Sequence, residues 1–136
     1  MQGILIVSDS PAFVDSALDA IRPLGLRAVV HAKGSGLAVA VAEARADLVV
    51  LDAGFADLDV MMACYFLRKW RPRLAIMVLT HDDTDPDAIE LYAASAHACM
   101  ALPVAPADFA GAVARHLPQP GWLTFLPSSS PMRSLA

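Results

Sequence analysis

Uninterrupted apolar runs alternate along this chain with stretches whose apolar residues recur at helical spacing. Ile4-Leu5-Ile6-Val7, Leu48-Val49-Val50-Leu51 and Leu74-Ala75-Ile76-Met77-Val78-Leu79 are the runs. Strands apolar on both faces belong in the middle of a parallel sheet covered by helices on each side. Ser10-Pro11 supplies a cap and a first-turn proline for a helix carrying Ala17, Leu18, Ile21 and Leu24, and Pro23-Leu24-Gly25 stops it. Leu26–Val30 reads as a second strand, and a helix rich in alanine and valine opens at Ser35 or Gly36 and continues through Arg45. A third helix runs from about Asp59 to Trp70 and is ended by Pro72. Asp85-Pro86 opens a fourth that continues to about Ser95. A short fifth strand, about Cys99–Leu102, precedes a fifth helix that opens at Pro106 and fades at His116-Leu117-Pro118.

Five strand–helix alternations joined by short loops imply an α/β doubly wound sandwich with right-handed crossovers. Residues 1–117 fit the flavodoxin-like strand order 2-1-3-4-5. In that order the first and third strands are adjacent, so Asp9 and Asp52, which follow their apolar runs, become neighbours. Thr80 closes the fourth strand at the same edge. Ligands of open parallel sheets bind at the carboxyl ends of the strands. Two carboxylates and a hydroxyl gathered there suit a divalent cation and a phosphoryl group.

The chain has 136 residues, one domain's worth, and is 57% hydrophobic. No apolar run approaches the roughly 20 residues of a membrane helix. No basic region precedes an apolar stretch at the N-terminus, so a signal peptide is not predicted and the expected location is cytoplasmic. A net charge of -4 argues against nucleic-acid binding by this domain. The basic stretch Arg68-Lys69-Trp70-Arg71-Pro72-Arg73 reads as a solvated helix end, where cations complement the dipole. Cys64 and Cys99 read as small core residues rather than a disulfide or metal pair. His31, His81, His97 and His116 show no ligand spacing, and His81 reads as an exposed loop histidine. Residues 118–136 change character: Pro118-Gln119-Pro120-Gly121 reads as a linker and Trp122-Leu123-Thr124-Phe125-Leu126 as a short strand candidate. That segment is either the opening of an output domain or a tail.

Ile4–Pro11, Asp47–Asp52, Val78-Leu79-Thr80 and Leu102-Pro103, in this order and spacing, resemble the receiver domain of bacterial response regulators over residues 2–117. The resemblance implies that Asp52 is the phosphoacceptor and Thr80 the switch hydroxyl. It implies Mg2+ held by Asp9, Asp52 and the Gly54 carbonyl, and a cis Leu102–Pro103 bond. It further implies a histidine kinase or small phosphodonor as partner. A homodimer through the fourth helix, fifth strand and fifth helix is expected from the apolar surface of Tyr92, Ala93, Cys99 and Ala110. Four departures stand out: Ser8 where the family has a carboxylate, Leu102 for its lysine, Cys99 for its aromatic switch, and Ala56 and Val60 in the loop after the phosphoacceptor. The first two compensate in charge, because three carboxylates and a lysine sum to the same charge as Asp9 plus Asp52. The charge balance leaves magnesium binding expected, while loss of the ammonium that couples the phosphoryl group to the loop before the fifth helix is expected to leave phosphorylation switching weakened or dispensable. The alternative is a phosphorylation-independent pseudo-receiver, an interaction or dimerisation module of a transcriptional regulator. A flavodoxin-like enzyme lacks support, with no glycine-rich loop after the first strand and no nucleophile elbow.

Overall fold

A computed structural model describes residues 1–118; most of the expected linker, with the Trp122–Leu126 strand candidate, lies outside the described residues. Five strands, β1 (Gly3–Val7), β2 (Arg27–His31), β3 (Leu48–Asp52), β4 (Ala75–Thr80) and β5 (Ala98–Ala101), alternate with five helices. The helices are α1 (Pro11–Ile21), α2 (Leu37–Ala44), α3 (Val60–Trp70), α4 (Pro86–Ser95) and α5 (Pro106–His116). All strands pair in parallel, in the order β2-β1-β3-β4-β5. The expected fold is the observed one.

Every residue of β1, β3 and β4 is buried, as their unbroken apolar runs require. Side chains alternate across a strand, so the sheet has two cores. Leu5, Val7, Val49, Leu51, Ile76 and Val78 pack with Val41 of α2 and with Ala63, Cys64 and Leu67 of α3. Ile4, Ile6, Leu48, Val50, Met77 and Leu79 pack with Ala17 and Ile21 of α1 and Phe109, Ala112 and Val113 of α5. Burial pushes the Cys64 thiol up to about 11 against an opposing pull from Arg68. That cysteine is a core residue, and Cys99 packs half-buried against the same core.

Three helix starts are set by side-chain caps. Ser10 Oγ accepts the Phe13 N–H at 3.4 Å, and Asp59 accepts that of Met62 at 3.0 Å. Asp85 accepts that of Asp87 at 3.0 Å. The third helix therefore begins one residue later than the sequence alone suggests, because Asp59 stands outside as the cap, while the fourth opens at Pro86 behind its Asp85 cap as expected. The first helix ends at Ile21, and a single 3-10 turn over Arg22–Leu24 closes on Gly25 at a left-handed φ of 67°. Among the described glycines, Gly34 makes the closest approach to its neighbours. Its N–H donates to Asp57 Oδ2 at 2.9 Å, and a Cβ there would lie 1.8 Å from the Asp57 carbonyl oxygen. Only glycine lets the loop before α2 lie against the loop before α3.

His97, just before β5, accepts the Ile76 N–H on Nδ1 at 3.0 Å. Burial, with Arg68 and His116 nearby, holds its pKa below the ordinary 6.5. The unfolded chain then takes up this proton at higher pH than the folded one. The contribution to stability is whole above about pH 6.5 and falls away as pH drops through the folded value. Denaturant midpoints measured between pH 7 and pH 5 should decline more for the wild type than for His97→Asn, whose amide oxygen keeps the acceptor without the titration. Equal slopes would remove His97 from the pH dependence.

Candidate functional site

Asp52 ends β3 in register with Leu79 of β4, while Ser8 directly follows β1. Parallel register thus delivers Ser8, Asp52 and Thr80 to one edge of the sheet, and all three are buried. A buried carboxylate costs several kcal/mol unless it is fully partnered, of order the desolvation of one ion. Asp52 is partnered at both oxygens. Its Oδ2 accepts the Ser8 hydroxyl at 2.7 Å, and its Oδ1 accepts the Gly54 N–H at 2.8 Å. His81 Nε2 lies 2.6 Å from Oδ1, a separation that needs a proton between them. Among the described residues no buried side-chain polar atom lacks a partner.

His81 is held where it is. Its N–H donates to Thr84 Oγ1 at 2.9 Å, and its carbonyl accepts the Thr84 N–H at 3.0 Å. The ring lies against Gly54, where a Cβ would sit 2.6 Å from His81 Nε2. The sequence placed His81 in an exposed loop; its side chain is 32% exposed and covers Asp52 instead. The available signal was position, since the residue after Thr80 leaves the same strand end that carries Asp52. Ser8 is the second residue whose role the sequence missed. It stood there as a lost carboxylate, whereas its hydroxyl donates to Asp52 and accepts the Ser10 N–H at 3.1 Å.

The other expected residues are distributed as follows. Thr80 Oγ1 donates to the Met100 carbonyl at 3.4 Å, toward β5 rather than toward Asp52. Asp9 is exposed at the same sheet edge and makes no hydrogen bond or ion pair with the described residues. The Leu102–Pro103 bond is cis. Leu102 itself packs with Val104 against the core that holds Phe109. Magnesium takes hard oxygen ligands and keeps several waters. Asp9, Asp52 and the Gly54 carbonyl are donors of the right kind, but the imidazole stands on Oδ1, where a cation would bind. As arranged, these residues do not fit the ion.

A buried carboxylate at the carboxyl edge of a 2-1-3-4-5 sheet, with a strand-end hydroxyl beside it and a cis X-Pro bond after β5, has counterparts among known proteins. Residues 4–114 match the family model described as response regulator receiver domain, and the chain belongs to that family. It is similar to the probable transcriptional regulatory protein TcrX of Mycobacterium tuberculosis (strain ATCC 25618 / H37Rv), 30% identical over 86 residues. That match covers 63% of this chain and 37% of the relative, so the chain spans little more than a third of that protein's length. Among solved structures it resembles the BeF3-activated DrrB receiver domain, with a TM-score of 0.72 at 21% identity, covering 86% of this chain and 98% of that one. It also resembles a CheY-like receiver domain protein from Methanospirillum hungatei JF-1, with a TM-score of 0.74 at 21% identity and coverage of 86% and 94%. At these identities the likeness is one of fold. The chain is a receiver domain of the two-component response regulator type. Among the described residues no helix is long and apolar enough to cross a membrane.

Proposed function

We propose that this receiver accepts a phosphoryl group on Asp52 from a histidine kinase or small phosphodonor, with weakened switching, and that His81 guards the acceptor. The observation that carries this reading is the His81 contact, 2.6 Å from Oδ1 of a carboxylate that is 2% exposed. Transfer forms a bond from an Asp52 oxygen to phosphorus and breaks the bond from phosphorus to the leaving group. Ser8 is fixed at Oδ2 and the Gly54 amide at Oδ1, so the movable donor is the His81 side chain. The Asp52 carboxylate is freed to attack when the ring turns aside. The test is intact mass after incubation with magnesium and acetyl phosphate. The gain of one phosphoryl group, absent from Asp52→Asn, supports the reading, and no gain in either protein overturns it.

The second reading, a phosphorylation-independent interaction module, draws on the same carboxylate, because Asp52 is already saturated by three donors. Leu102 separates the two readings. An ammonium there would make charge-assisted contacts with phosphoryl oxygens worth roughly 1.5–3 kcal/mol. Leu102→Lys should therefore give a larger phosphodonor-dependent change in tryptophan fluorescence or oligomeric state than the wild type. Full switching by the wild type would remove the coupling argument. Absence of phosphate uptake in both would favour the interaction module.

Self-association through α4, β5 and α5 belongs to the same proposal. No side chain of α4 is fully buried, and β5 is a short edge strand only partly covered. Leu91 is 54% exposed on α4, near half-buried Tyr92 and exposed Ala93. An apolar contact of this kind is little screened by salt. Sedimentation should show a dimer whose dissociation constant changes less than about threefold from low to high salt; a strict monomer, or steep salt dependence, counts against it.

A further inference from the structure

Beside the Asp52 site, between α1 and α5, lies a cavity of about 610 Å³. We propose that it is a binding site for a small apolar molecule carrying a cationic nitrogen. Its volume falls within the range of pockets that enclose small ligands, roughly 300–1,000 Å³. Small residues of α1, Ala17 and Ala20 among them, leave the space open, and Phe13 and Phe109 wall it with rings 6.0 Å apart, edge to face. Leu102 and Val104 add apolar wall from the segment after β5. The leucine that removes a cation from the Asp52 site thus makes this neighbouring wall apolar. Two aspartates, Asp82 and Asp83, stand on the rim, exposed and with no ion-pair partner among the described residues. The site is apolar within and negative at the mouth, which selects a hydrophobic body with a positively charged end over its anionic counterpart. His81 lines this cavity as well as covering Asp52. An occupant therefore touches the ring that covers Asp52. This inference does not depend on whether Asp52 is phosphorylated.

The probe is 2-naphthylmethylamine, compared with 2-naphthylacetate, titrated into the full chain and followed by amide shifts in the ¹H–¹⁵N NMR spectrum. The expected result is saturable binding of the amine with the shifts centred on Ala17, Val104 and Phe109, and at least fivefold weaker binding of the acid. An exposed ion pair is worth up to about fivefold in affinity. The double substitution Asp82→Asn and Asp83→Asn, at exposed positions where folding is not at stake, should bring the amine to within twofold of the acid. Leu102→Lys should weaken the amine at least tenfold. Equal binding of amine and acid, shifts scattered over the surface, or no saturation at millimolar probe would overturn the proposal. It would also be overturned if only Trp122→Ala bound the amine, since the cavity would then belong to the chain's own tail.

Discussion

His81→Ala should take up a phosphoryl group from acetyl phosphate, with magnesium present, about tenfold faster than the wild type. Removing the ring frees Asp52 Oδ1 and leaves the Ser8 and Gly54 donors in place. A hydrogen bond to a charged group is worth roughly 1.5–3 kcal/mol, and partial exposure of the ring argues for the lower end, about a factor of ten. Gly54→Ala should act in the same direction without touching the histidine, because its Cβ would lie 2.6 Å from His81 Nε2 and the ring is the part able to move. The readout is the rate of mass gain, with Asp52→Asn at zero. If both substitutions slow the reaction, His81 assists the transfer instead of covering the acceptor.

Phe109→Ala should lower the free energy of unfolding by about 3–5 kcal/mol, the usual cost of emptying a buried aromatic site. Phe109 is 2% exposed and packs in the core that joins α1 and α5 to one face of the sheet. Its ring meets Phe13 edge to face at 84° between planes, an arrangement that adds to burial alone. Because the cavity lies along the same side chain, collapse around the gap is hindered, which favours the upper end of the range. Urea midpoints at constant slope measure it. Met62→Ala, 61% exposed on α3, should stay within about 0.5 kcal/mol of the wild type. A Phe109→Ala loss no larger than that of Met62→Ala would show that the core on this face is not continuous.

The sheet order was legible in the sequence because its three central strands are apolar on both faces and three of its helices open on capping side chains. Asp52 and Thr80 were legible for the same reason: each ends a strand whose position the pattern fixes. The contact between Asp52 and His81 was not, since it depends on which way one side chain turns after its strand ends, and no periodicity records that. Ser8 was read for the charge it lacks, while its function depends on a hydroxyl aimed across from β1 to β3. The cavity was illegible too. It arises from several alanines on one helix meeting Leu102 from a loop far along the chain.

The two halves of the sheet are held with unequal firmness. β1, β3 and β4 have no exposed residue, whereas α4 has no fully buried one and β5 is covered only in part. Thr80 sits on the firm side, yet its hydroxyl donates across to the Met100 carbonyl on the loose side. Asp52 is thus flanked by fully buried strands, and the partly covered β5 and α4 lie beyond Thr80. Of the two lightly covered edge strands, β2 and β5, it is β5 that Thr80 bonds to, so a change at this end of the sheet has a direct route to that edge.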